Sequence, residues 1–185
     1  MPHYKKDISY LNHNLDAALG YVSELMRRID NTYSMNKLQH KAFLAMLYLT
    51  GSRPAELTLM QKNNIQITDE NVFFTIKTLK RGYDRTIILS RNTPFMDLIL
   101  EYFDSSAGNL FSMDLSTYKK MIYKVSDNNL MPYSFRHFRL TYIAVKLGAN
   151  PYELKYWKGA KDTRSVDAYV HLSGSHLKKF ADKIR

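Results

Sequence analysis

The sequence predicts a mostly α domain carrying one small antiparallel β-sheet, an α+β fold. Three observations carry that expectation. Apolar side chains recur at i, i+3, i+4 and i+7 through most of the 185 residues, the spacing that lines one face of a helix. Two runs rich in β-branched and aromatic residues, Val72-Phe73-Phe74-Thr75-Ile76 and Arg85-Thr86-Ile87-Ile88-Leu89, flank the polar segment Lys80-Arg81-Gly82-Tyr83-Asp84 and read as a hairpin. Hydrophobic residues make up 45% of the chain against 7 Gly and 5 Pro, so it can bury a core rather than remain disordered.

Taken in order, residues 1–14 read as an N-terminal extension and residues 15–172 as one domain. Leu15 to Ile29 is an amphipathic helix with Leu15, Ala18, Val22, Leu25 and Met26 on one face. Leu38 to Leu49 is apolar nearly all round, which makes it a central buried helix. Gly51 ends it, and Pro54 suits the first turn of a short helix running through Leu59. Ile65 to Thr68 adds a third strand to the hairpin. Thr93-Pro94 supplies a cap and first turn for a helix whose face is Phe95, Leu98, Ile99 and Tyr102. Tyr118, Met121, Ile122 and Val125 define the next helix. Leu140, Ile143, Ala144 and Leu147 define one that begins at Arg136 and is closed by Gly148. Short helices follow over Tyr152 to Trp157, Ser165 to Leu172 and Ser175 to Ile184; the last falls in residues 173–185, a C-terminal segment that can be exchanged between protomers.

Lys and Arg number 27 against 17 Asp and Glu, a formal charge of +10 with a pI near 9.6. That excess points to a polyanionic partner, of which nucleic acid is the common one. There is no cysteine, so a disulfide framework and a thiolate metal site are both excluded. The six histidines (His3, His13, His40, His137, His171 and His176) are scattered, and no metal or other cofactor is expected. The first residues lack the apolar core of a signal peptide, and the longest apolar run, Ala42 to Leu49, is too short to cross a bilayer. The reading is a soluble, cytoplasmic protein with no membrane partner.

Four places bear chemistry. Arg53 follows a buried helix and a glycine turn that lets backbone approach a ligand; the plainer alternative is an ion pair with Glu56 at i, i+3. Lys77 closes the first hairpin strand, a more rigid place than the tip residues Lys80 and Arg81. Arg136 lies next to a core stripe and so requires either an acidic partner or a bound anion. Tyr169 stands late, in Asp167-Ala168-Tyr169-Val170-His171, and a tyrosine can attack phosphorus and remain attached as an ester; the plainer alternative, in a chain of 14 tyrosines, is a packing residue. His137, beside Arg136, is either a satisfied neutral histidine or a catalytic one.

These segments resemble the catalytic domain of the tyrosine recombinases, the phage integrase family, over about Leu15 to Leu172. Thr50-Gly51-Ser52-Arg53-Pro54-Ala55-Glu56-Leu57 is similar to that family's first arginine box. Ile76-Lys77-Thr78-Leu79-Lys80 with Arg85-Thr86-Ile87 is similar to its hairpin lysine segment. Phe135-Arg136-His137 is similar to its second arginine box, and Gly159 to Tyr169 to its nucleophile segment. The resemblance implies site-specific DNA cleavage and rejoining, as in recombination or integration, without metal or ATP. In it, Arg53 and Arg136 clamp the scissile phosphate and Lys77 is the general acid. Tyr169 forms a 3′-phosphotyrosyl link and frees a 5′-hydroxyl. Lys80, Arg81, Arg139, Lys158, Lys161 and Arg164 are then expected to contact double-stranded DNA, with a homo-tetramer assembled on it.

The chain departs from the family pattern at two positions. Tyr133 stands where the family has a histidine three residues before the second arginine, and Ala160 where it has His or Trp after the glycine. Tyrosine, with an ordinary pKa near 10, is a poor base at neutral pH, and losing one preorganised donor typically costs roughly 10²–10³ in rate. Lys158, Lys161 or Trp157 are the candidates to compensate. Family members also carry an N-terminal helical DNA-binding domain, whereas little precedes Leu15; the expectation is either a fragment or a minimal recombinase that holds DNA from one face. Two other readings stand beside recombination: a DNA-binding relative with weakened or lost chemistry, and a nicking and resealing enzyme like the type IB topoisomerases.

Overall fold

A computed structural model describes residues 15–79 and 82–173. The expectations for residues 1–14, for the helix over Ser175 to Ile184 with its exchange, and for Lys80 and Arg81 lie outside the described residues. Within them, Ala18–Asp30 forms helix α1 and Lys37–Thr50 forms α2. The apolar face of α1 is buried as its spacing predicts, through Ala18, Val22, Leu25, Met26 and Ile29, with Leu15 partly buried before it. Helix α2, apolar on every side, is buried on every side: its residues from Ala42 to Leu47 have no exposed surface. Phe43 stacks on Tyr118 with ring centroids 3.8 Å apart and meets Phe111 edge-on at 5.2 Å.

Gly51 stops α2 in the left-handed conformation (φ 61°). A Cβ there would stand 2.8 Å from Cβ of Arg139, so both backbone and space require glycine. The short helix α3, Pro54–Leu57, begins on its proline as expected and ends two residues before Leu59. A 3₁₀ turn, Lys62–Asn64, leads into three strands, β1 (Ile65–Ile67), β2 (Asn71–Ile76) and β3 (Arg85–Ser90), antiparallel in that order. Phe74 at the centre of β2 pairs with Ile65 on one side and Ile87 on the other. Alternation puts Val72, Phe74 and Ile76 inward, the period of two that a half-buried strand requires.

Helices α4 (Met96–Ser105), α5 (Leu115–Val125), α6 (Pro132–Val145), α7 (Pro151–Lys158) and α8 (Asp167–Ser173) follow. Boundaries differ from expectation in α4, α6 and α8, the last beginning at Asp167 rather than Ser165, behind a 3₁₀ turn over Arg164–Val166. Thr93-Pro94 does not open α4: Phe95 takes a left-handed turn (φ 68°) and the helix starts at Met96. The Phe95 ring reaches the ring of Tyr48 on α2, 6.1 Å away, so a tertiary contact overrides the local signal. Helix α6 starts at Pro132, not Arg136, because proline fits the first helical position. It ends at Val145, which leaves Leu147 outside the helix and 65% exposed. Asn150 caps α7, its side-chain oxygen accepting from the backbone N–H of Tyr152 (2.9 Å) and Glu153 (3.0 Å).

The buried residues fall into two clusters. The large one surrounds α2 and includes α1, the sheet, α4 and α5. The small one holds Leu140, Ile143 and Ala144 of α6, Leu154 of α7, and Val166 and Tyr169 beneath and on α8; Trp157 packs against both.

Candidate active site

The site is built where two helices end. The last carbonyls of any α-helix lack intrahelical partners and carry its negative dipole end. At the end of α2, those of Tyr48, Thr50 and Gly51 receive Arg139 Nε (2.8 Å), Trp157 Nε1 (2.7 Å) and Arg136 Nη1 (2.9 Å). Arg136 Nη2 donates to the carbonyl of Lys158, the last residue of α7, at 2.7 Å. Arg136 thus ties the ends of α2 and α7 together. In place of a carboxylate it holds two backbone oxygens, each partially negative. Burial, then the charges of Arg53 and Arg85, pull its guanidinium down to about 10.

Arg53 forms the ion pair with Glu56 that its spacing predicts, Nη1 to Oε1 at 2.6 Å, while its backbone N–H donates to Oε2 at 2.9 Å. Glu56 is 2% exposed and takes a second arginine, Arg85 Nη2 to Oε2 at 2.9 Å. Burial pushes the Glu56 carboxyl up, but Arg85 together with Arg53 outweighs it and holds the group below its usual range. Sequence reasoning missed Arg85. The signal was there: in strand phase it shares the inward face with Ile87, and a buried arginine demands a carboxylate. Arg85 Nε and Nη1 have no hydrogen-bond partner among the described residues.

Tyr169 is buried against α6, with its hydroxyl 2.6 Å from Nδ1 of His137. The two rings are inclined by 28° with centroids 6.1 Å apart, and the Tyr133 ring stands 6.5 Å from the histidine ring. Burial lowers the His137 pKa, and Arg136 and Lys158 lower it further, so the imidazole is neutral near pH 7 and able to accept the phenolic proton.

In front of these groups opens a cleft of about 900 Å³, lined by Arg53, Leu79, Lys158, Gly159, Ala160, Lys161, Asp162 and Ser165. Gly159 closes α7 with φ 66° and abuts the hairpin: a Cβ on Gly82 would lie 2.3 Å from the Gly159 carbonyl oxygen. The fold therefore brings Arg53, Lys158 and Lys161 into one cleft, with Arg136 behind it and the Tyr169–His137–Tyr133 group beside it. Lys77, one residue past β2, is exposed and does not line the cleft, although Leu79 on the same arm does. The backbone N–H of Thr78 donates to Asp84 at 2.8 Å and holds that arm to the returning strand. Arg164 is 87% exposed and paired with Asp162 at 3.3 Å. Arg139 is packed among the rings of Tyr48, Tyr142 and Phe138, 4.9, 5.2 and 5.7 Å from their centroids, a packing role rather than an outward one.

No family model matches the sequence, and no curated protein matches it. Solved structures do. The XerH site-specific recombinase bound to difH substrate in a pre-cleavage complex matches with a TM-score of 0.66 and 13% identity, over 88% of this chain and 52% of that one. The XerA recombinase matches at 0.65 and 18%, over 90% and 61%. XerH in a post-cleavage complex with palindromic difH substrate matches at 0.66 and 13%, over 88% and 51%. The chain spans about half to three fifths of the length of these structures. At such identities the likeness shows the fold, which is that of the tyrosine recombinase catalytic domain. Among the described residues no helix is long and apolar enough to cross a membrane.

Proposed function

We propose that this chain cuts and rejoins strands of double-stranded DNA through a covalent tyrosine ester. The observation that carries the reading is the 2.6 Å contact between Tyr169 Oη and His137 Nδ1, set beside a cleft lined by Arg53, Lys158 and Lys161. In the forward step a new O–P bond forms from Tyr169 Oη to the phosphate, and the bond from phosphorus to the 5′-oxygen breaks. The phenolic proton passes to His137, and by the family resemblance Lys77, on the hairpin arm whose Leu79 lines the cleft, gives a proton to the departing oxygen. Arg53 and Arg136 neutralise charge as it develops on the non-bridging oxygens. The ester conserves the bond energy, so reversal on the same or another strand needs no ATP. Recombination or integration follows when the second strand differs from the first, with a homo-tetramer on DNA by family resemblance.

Arginines and lysines supply the charge neutralisation in this scheme, so excess EDTA is expected to leave cleavage intact. The test is incubation of the full chain in EDTA with a pool of nicked duplexes of randomised sequence, in which the fragment beyond the cut diffuses away. A protein–DNA adduct on a denaturing gel is the expected outcome. No adduct from the pool, or adduct only after magnesium is restored, overturns the reading. Tyr133 and Ala160 favour a second reading, a DNA-binding relative with weakened chemistry; binding to the pool without adduct is its signature.

A further inference from the structure

We propose that the Lys158 ammonium binds a non-bridging oxygen of the attacked phosphate, supplying the donor that the family pattern puts at the position of Ala160. The assignment rests on the strand-cleavage reading above. Three side chains near Ala160 could supply that donor. Trp157 is committed, its indole N–H donating to the Thr50 carbonyl at 2.7 Å. Lys161 is exposed on the cleft wall. Lys158 alone combines the two requirements: it lines the cleft with Arg53, and its Nζ stands 5.5 Å over the ring of Tyr169.

Its mounting is rigid. The Lys158 carbonyl is held by Arg136 at 2.7 Å, so one residue joins the arginine behind the cleft to a cation inside it. Nζ donates to the Ser165 carbonyl, which fixes its direction. An ammonium has three N–H donors, and the Ser165 carbonyl engages one. The remaining donors, on an ammonium 5.5 Å over the Tyr169 ring, are the ones assigned to the phosphate oxygen on which negative charge grows as the ester forms.

The charged groups around Nζ are Arg136 on α6, Arg53 ahead of α3 and Asp162 on the following loop, with His137 and Tyr169 closing the remaining side. Burial, then Arg136 and Arg53, lower the Lys158 pKa to about 8, against the opposing pull of Asp162. The working form is the cation, so it is present below that value and lost as pH rises through it. Cleavage under subsaturating DNA, which reports the unbound protein, is therefore expected to fall on the alkaline side of about pH 8.

The experiment measures adduct formation on nicked DNA against pH for the parent, Lys158→Met and Lys158→Arg. Lys158→Met should be slower by roughly 10²–10³, the cost of losing one preorganised donor, and should lack the alkaline limb. Lys158→Arg should keep most of the rate and move that limb upward out of range. A second substrate carries sulfur in place of the 5′-bridging oxygen, a leaving group that departs without a proton. It should rescue Lys77→Met and leave Lys158→Met slow. A parent that cleaves while Lys158→Met cleaves equally, or a sulfur substrate that restores Lys158→Met, overturns the assignment alone. A parent that forms no adduct overturns strand cleavage itself, and this assignment with it.

Discussion

Tyr169→Phe is expected to abolish the covalent adduct while leaving DNA affinity within a few-fold of the parent. The substitution removes one oxygen and keeps the ring, which is what packs against Leu140, Ile143, Ala144, Leu154 and Val166. The fold therefore has no reason to change, and the nucleophile is gone. Under the proposed function affinity should survive, because a chain of net charge +10 would draw it from many phosphate contacts. The pair of measurements is adduct yield on a denaturing gel and a binding isotherm on the same duplex. Adduct at the parental rate would mean that another tyrosine reacts. Tyr156 would be tested next, being 59% exposed one helix away, although its hydroxyl is turned to the Thr86 backbone N–H at 3.4 Å.

The largest expected loss of stability comes from Glu56→Ala. The Arg85 side chain is 1% exposed, and two of its three nitrogens have no hydrogen-bond partner among the described residues, so the Glu56 carboxylate supplies most of its compensation. Removing one partner of a buried ion pair leaves the other charge buried and costs about 3–5 kcal/mol. Arg53 loses its partner too, but its 18% exposed side chain has water to turn to. Urea unfolding at neutral pH reads the loss, and a change under about 1 kcal/mol would show that Arg85 finds water or another partner. The pH dependence has a definite sign. The Glu56 pKa is lower folded than its usual value near 4.3, so its contribution is complete above that value. It is lost as pH falls through the folded pKa. The stability gap between the parent and Glu56→Gln should accordingly be widest at neutral pH and shrink in acid.

Much of the architecture was legible because it follows from periodicity. Helix α2 could be read as central because no polar face interrupts it, and the hairpin because β-branched runs flank a polar turn. What escaped was decided by contacts between distant segments. Phe95 leaves the helix it was expected to join because Tyr48 lies across from it. Of the candidate site, the types and order of the residues were readable; their partners were not. Arg136 finds carbonyls rather than a carboxylate because two helix ends converge on it, an event no local pattern encodes. Arg85 was hidden for a different reason: an arginine next to a polar turn reads as solvated, and only its shared phase with Ile87 turns it inward.

The division of the interior into two clusters has a kinetic meaning. Tyr169 belongs to the smaller one, which six buried side chains make up, and α2 contributes none of them. Releasing α8 uncovers that small patch and leaves the packing around Phe43, Tyr118 and Phe111 untouched, so local opening need not await global unfolding. How often the tyrosine stands in place is then a quantity separate from how stable the domain is. Substitutions at Ile143 or Leu154 would shift the first, and under the proposed function that is a way for a strand-breaking group to be withheld or presented.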